Sequence, residues 1–69
     1  MVEVFKTNVN DVELAQLLIN QLLDYFSFGR VNFDLDDCDK ILRIEGELIQ
    51  PEKVIEVVSD HGYYCQVLD

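Results

Sequence analysis

Sixty-nine residues suffice for one small domain and leave nothing for a second core. Hydrophobic residues at 49% and charged residues at 28% mark a packed chain rather than a disordered one, and no apolar run approaches the roughly 20 residues of a membrane span. A formal net charge of −9, with only five Lys and Arg, argues against nucleic acid and anionic membranes as partners, because phosphate recognition needs clustered cations.

Val2 to Val9 is expected to be a strand, with Phe5, Thr7 and Val9 on one face and Val2 and Val4 on the other. Asn10 stands where a helix N-cap is needed. Glu13 lies at capping-box spacing from it, and Val9 with Leu14 fits a hydrophobic staple. Asp11 and Glu13 favour a first turn through the helix dipole. From Asp11 to about Phe26 the apolar period is helical, through Leu14, Ala15, Leu18, Leu22 and Tyr25 or Phe26, while Leu17, Ile19 and Leu23 widen the stripe. Ser27 to Gly29 should end the helix.

Val31, Phe33 and Leu35 alternate with polar residues as a second half-buried strand. The acidic run Asp36 to Asp39 is a turn, since short acidic side chains bond to their own backbone. Lys40 to Glu45 is a third strand with Leu42 and Ile44 inward. Pro51 suits the first position of a second helix, whose apolar face is Val54, Ile55 and Val58 and which stops at His61-Gly62. Tyr63, Cys65 and Val67 alternate in a last strand. The order β-α-β-β-α-β predicts an α+β ferredoxin-like sandwich, a four-stranded antiparallel sheet with two helices on one face, over residues 1–69 as a single domain. Each helix is expected to be a right-handed crossover between parallel neighbours, and the last strand to lie beside the first.

These residues resemble the heavy-metal-associated family, the small module of copper and zinc chaperones and transport ATPases. The similarity is carried by Phe5-Lys6-Thr7-Asn8-Val9, Val31-Asn32-Phe33-Asp34-Leu35, Asp39-Lys40-Ile41-Leu42-Arg43-Ile44-Glu45-Gly46, Glu52-Lys53-Val54-Ile55-Glu56 and His61-Gly62-Tyr63. The family holds its soft ion with a Cys-x-x-Cys at the first strand-helix turn. Here the two cysteine positions fall on Asp11 and Leu14. The resemblance therefore implies the fold and a degenerate site, and no soft metal or cofactor is expected.

Other chemistry is sparse. Topology gathers three loops at one end, so Asp11, Glu13, Asp36, Asp37, Cys38, Asp39 and His61 are weak candidates for a cation surface, with Asp60 beside them. The acidic run lacks the Gly and the distal Glu of an EF-hand, and a solvated acidic end is the plainer reading. Neighbouring carboxylates should dull Cys38 as a nucleophile, and Cys65 has inward parity as a small buried residue. Strand order sets the two cysteines too far apart to bridge, and His61 is expected to serve the end of its helix rather than act as a base. An enzyme is not expected. The N-terminus shows no basic region followed by an apolar block, so a cytoplasmic chain with reduced thiols is expected. What remains unexplained is apolar. Val2, Val4, Tyr64 and Leu68 share the parity opposite to the core, and Leu17, Ile19, Leu23 and Val57 flank the helical stripes. A contiguous patch of this kind marks an interface, either a homodimer or a protein partner.

Overall fold

A computed structural model describes residues 1–25 and 29–68. The elements in chain order are β1 (Val2–Thr7), α1 (Val12–Tyr25), β2 (Arg30–Asp34), β3 (Ile41–Glu45), α2 (Pro51–Asp60) and β4 (Cys65–Val67). The four strands form one sheet in the order β2-β3-β1-β4, with every neighbouring pair antiparallel. The architecture is α+β and ferredoxin-like, as the element order predicts. One detail differs from expectation. The helices do not link parallel neighbours, because β3 lies between β1 and β2, and β1 lies between β3 and β4.

Strand alternation decides which residues meet the helices. Phe5 and Thr7 of β1, Val31 of β2, Leu42 and Ile44 of β3 and Cys65 of β4 turn inward, onto Ala15, Leu18 and Leu22 of α1 and Val54, Val57 and Val58 of α2. Val57 is therefore core rather than a flanking residue, and Ile49, in the connection before α2, joins it. Lys53 reaches across from α2 to stack on the Tyr25 ring, 4.9 Å from its centroid. The expected continuation of α1 to Phe26 and the Ser27 part of its stop lie outside the described residues.

Helix α1 starts one residue later than the capping-box reading requires. Asp11, not Asn10, is the cap: its Oδ1 accepts the N–H of Glu13 at 2.8 Å and of Leu14 at 3.4 Å. A carboxylate at this place answers both the orphan N–H groups and the positive end of the helix, which an amide does less well. With the cap at Asp11, neither the Asn10–Glu13 box nor the Val9–Leu14 staple has the right spacing. Helix α2 begins on Pro51 as expected, after an extended Gln50 that makes no side-chain cap. It ends in a Schellman motif. Gly62, at φ +83°, donates to Ser59 O at 2.9 Å and Tyr63 to Val58 O at 3.4 Å.

Two strand ends differ from expectation, and polar contacts set both. The first strand stops at Thr7 because the Val9 N–H turns to the Thr7 hydroxyl, at 3.2 Å. That hydroxyl in turn donates to Lys40 O at 2.6 Å, and the Thr7 N–H donates to Asp39 O at 3.1 Å. Strand β3 begins at Ile41 because Lys40 is left-handed, with φ +48°. It is held there by its N–H to Asp37 O at 3.0 Å and its Nζ to Leu35 O at 2.7 Å. Thr7 is only 4% exposed and joins the β1–α1 loop to the β2–β3 turn. Thr7→Val keeps the shape but removes both bonds of the hydroxyl, so urea unfolding should show a loss of about 1–3 kcal/mol. Thr7→Ser, which keeps the oxygen, should recover most of it.

Candidate functional site

Three loops do meet at one end of the sheet. The β1–α1 loop and the β2–β3 turn are joined through Thr7. The α2–β4 turn is joined to them by the Tyr64 N–H, which donates to Asn8 Oδ1 at 2.7 Å. The carboxylates on those loops do not converge, however. Among the described residues the one group of three donors within reach of a common ion is Asp37, Cys38 and Asp39, whose ligand atoms lie within 4.8 Å of one another. Asp11, Glu13, Asp36, Asp60 and His61 stand outside it.

Asp11 and His61 have local work, and so have several acids of the β2–β3 turn. Asp11 Oδ1 is the α1 cap. His61 directs Nδ1 at Val57 O, 3.0 Å away, so Nδ1 carries the proton and the ring closes the last turn of α2. Asp37 Oδ1 accepts the Asp39 N–H at 2.8 Å, and Asp34 Oδ1 accepts the Asp36 N–H at 3.3 Å, the self-bonding expected of an acidic turn. Asp39 also lies 3.6 Å from Lys6 Nζ.

The cysteines are free and differ in kind. Cys38 is exposed on the turn. Cys65 is buried beneath α2 and opposite Thr7, and burial pushes its thiol up to about 11. It stays protonated at neutral pH, which removes it as a metal-binding thiolate or a nucleophile.

Leu14, at the second position where the resembled family carries a thiol, is half-buried and packs against the core. Asp11, at the first, is exposed.

The apolar residues singled out from the sequence divide between two sides of the molecule. Val2, Val4, Tyr64 and Leu68 belong to the sheet face without helices. The Leu68 N–H donates to Val4 O at 2.9 Å, which sets the two residues side by side, and the Tyr64 hydroxyl donates to Oε1 of Gln66 on the same face. Val2, Tyr64 and Leu68 are exposed, and Val4 is half-buried. Leu17, Ile19 and Leu23 are on α1, across the core. Leu17 is exposed there, while Ile19 and Leu23 pack partly against the core. These seven residues are therefore not one surface.

Two hollows lie near these faces. One, of about 330 Å³, lies on the outer sheet face between Val4, Asn32, Ile41 and Arg43, with Asp34 and Asp37 at its rim. The other, also about 330 Å³, runs between α1 and the edge strand β2, past Val12, Ile19, Phe33 and Leu35. Ile41 and Arg43 also face outward, and their parity is readable in the sequence: both alternate with the inward pair Leu42 and Ile44.

Compared with protein-family models, with curated proteins and with solved structures, the chain gives no match in any of the three.

Proposed function

We propose that this chain is a non-catalytic interaction module, a scaffold of the heavy-metal-associated kind whose soft-metal site has been given up. The observation that carries this reading is the outer sheet face, where Val2 and Val4 lie with Leu68 on neighbouring strands with no helix over them, and Tyr64 stands further along the same face beyond Lys6 and Gln66. Apolar side chains grouped on one face signal association more strongly than the same number scattered. The site side of the reading is supported by Asp11. At the position of the family's first thiol, its carboxylate already satisfies two N–H groups of the helix that would otherwise favour an incoming thiolate, and Leu14 offers no donor.

Sedimentation equilibrium over a wide concentration range tests the reading. A reversible, concentration-dependent oligomer is expected; a strict monomer at every concentration would count against self-association.

The second reading is cation binding through non-standard ligands, favoured by the proximity of Asp37, Cys38 and Asp39. A zinc titration against a competing chelator separates the two, because a site tighter than about micromolar would favour the second.

A further inference from the structure

The charge of this chain is unevenly laid out, and the layout selects a partner. Of its five Lys and Arg, Lys6, Arg30 and Arg43 lie on the outer face of the sheet. Among the described residues, Asp34 and Glu45 share that face by strand parity, Asp37 stands at the rim of its hollow, and Asp39 lies 3.6 Å from Lys6 Nζ. Helix α2 carries Glu52, Glu56 and Asp60, and the β2–β3 turn carries Asp36, Asp37 and Asp39. The outer face is thus close to neutral on a molecule whose net charge is −9.

We infer that the outer sheet face is a self-association surface, on which a second copy of this chain docks face to face as an isologous dimer. The inference rests on the interaction reading above and adds to its face the partner and a two-fold geometry. Two copies at −9 repel wherever acidic surfaces meet, and the penalty is smallest where the sheet faces oppose. That face also complements itself. Its cations have carboxylates of the opposite copy to pair with, around apolar side chains from Val2, Val4, Ile41, Tyr64 and Leu68. A two-fold arrangement presents the same patch on both sides, which is what a self-complementary surface requires.

The area sets the strength. Strands of six, five, five and three residues, at about 3.4 Å per residue and about 4.8 Å apart, present about 300 Å² per copy. With the rims, the pair buries about 700–800 Å², below the roughly 1,000 Å² of a stable interface and in the range of weak, transient ones. A weak, reversible dimer follows.

Salt fixes the sign of the electrostatics. Raising it screens the long-range repulsion between two acidic molecules more than it weakens short pairs within the interface. The dimer should therefore tighten several-fold between low and physiological salt. A head-to-tail contact of acidic helices on the basic part of a sheet would weaken instead.

The test is sedimentation equilibrium on the full chain and three variants. Val4→Lys places a charge in the centre of the face. Arg43→Glu, at an exposed position where folding is not at stake, makes the face acidic; Leu48→Lys, at 84% exposure in a loop, is the control. Wild type and Leu48→Lys should dimerise, more tightly as salt rises, and Val4→Lys and Arg43→Glu should be at least tenfold weaker. If the wild type associates and Arg43→Glu associates equally well, or if association weakens with salt, this inference is overturned while the interaction reading stands. If the wild type is monomeric throughout, self-association fails altogether.

Discussion

Replacing Phe5 by alanine is expected to leave the domain largely unfolded at room temperature. Phe5 is fully buried, in a central strand, paired with Leu42 on one side and Val67 on the other. It belongs to the one buried cluster that the sheet shares with both helices. Truncations of this kind cost about 3–5 kcal/mol through lost transfer free energy and the residual cavity. A core of this size supplies about 3–5 kcal/mol of net stability in total. The two magnitudes meet, and no other single apolar truncation in β1 comes as close to the whole. Far-ultraviolet circular dichroism and urea titration read the result directly. Phe5→Leu keeps most of the volume and should remain folded with a lower midpoint. Leu48→Ala, in an exposed loop, should move stability by no more than about 0.5 kcal/mol. A Phe5→Ala protein as stable as wild type would mean that the sheet is not packed as described.

The difference between what the sequence discloses and what it conceals follows the range of the interactions. Leu42 and Ile44 declare themselves by period-two alternation, Pro51 by its missing N–H, and Gly62 by its freedom at positive φ, all local properties of the chain. Thr7 gives no such sign. Its hydroxyl matters because Lys40 O arrives beside it from 33 residues away, and no local pattern encodes that meeting. Lys40 is similar: a left-handed lysine is held by Leu35 O and Asp37 O, and neither contact has a sequence signature. The Asn10–Asp11 error is of another type. Both residues are good caps, and only the geometry shows which one faces the N–H groups. At the acidic end the topology was legible, since three loops do meet there, but proximity of loops is weaker than convergence of ligand atoms. Asp11, Asp34 and Asp37 bind backbone N–H groups of their own loops instead.

Installing thiols at the first strand-helix turn is expected to create a two-thiolate soft-metal site. The pair Asp11→Cys and Leu14→Cys would stand at the cap and the third residue of α1, three apart, and so on one side of the first turn. Helix N–H groups released by the loss of Asp11 Oδ1 then stabilise thiolates. Two thiolates suit Cu(I), and the second binds within the same molecule, adding about 10²–10⁴ over a single thiol. The change has a cost. Losing the cap destabilises the metal-free variant by about 1 kcal/mol, and Leu14 gives up part of its packing against the core. Metal that binds the folded form alone should restore that loss, so the melting temperature rises with Cu(I) in the double variant and stays unchanged in wild type. Exposed Cys38 is best replaced by serine in every sample, because a third thiol would bind copper on its own account. Each single variant should bind no better than this background. Competition against a Cu(I) chelator decides the matter: a double variant no tighter than its singles would show that this turn is not shaped for a two-thiol site, and the description of the chain as a scaffold that lost one would fall with it.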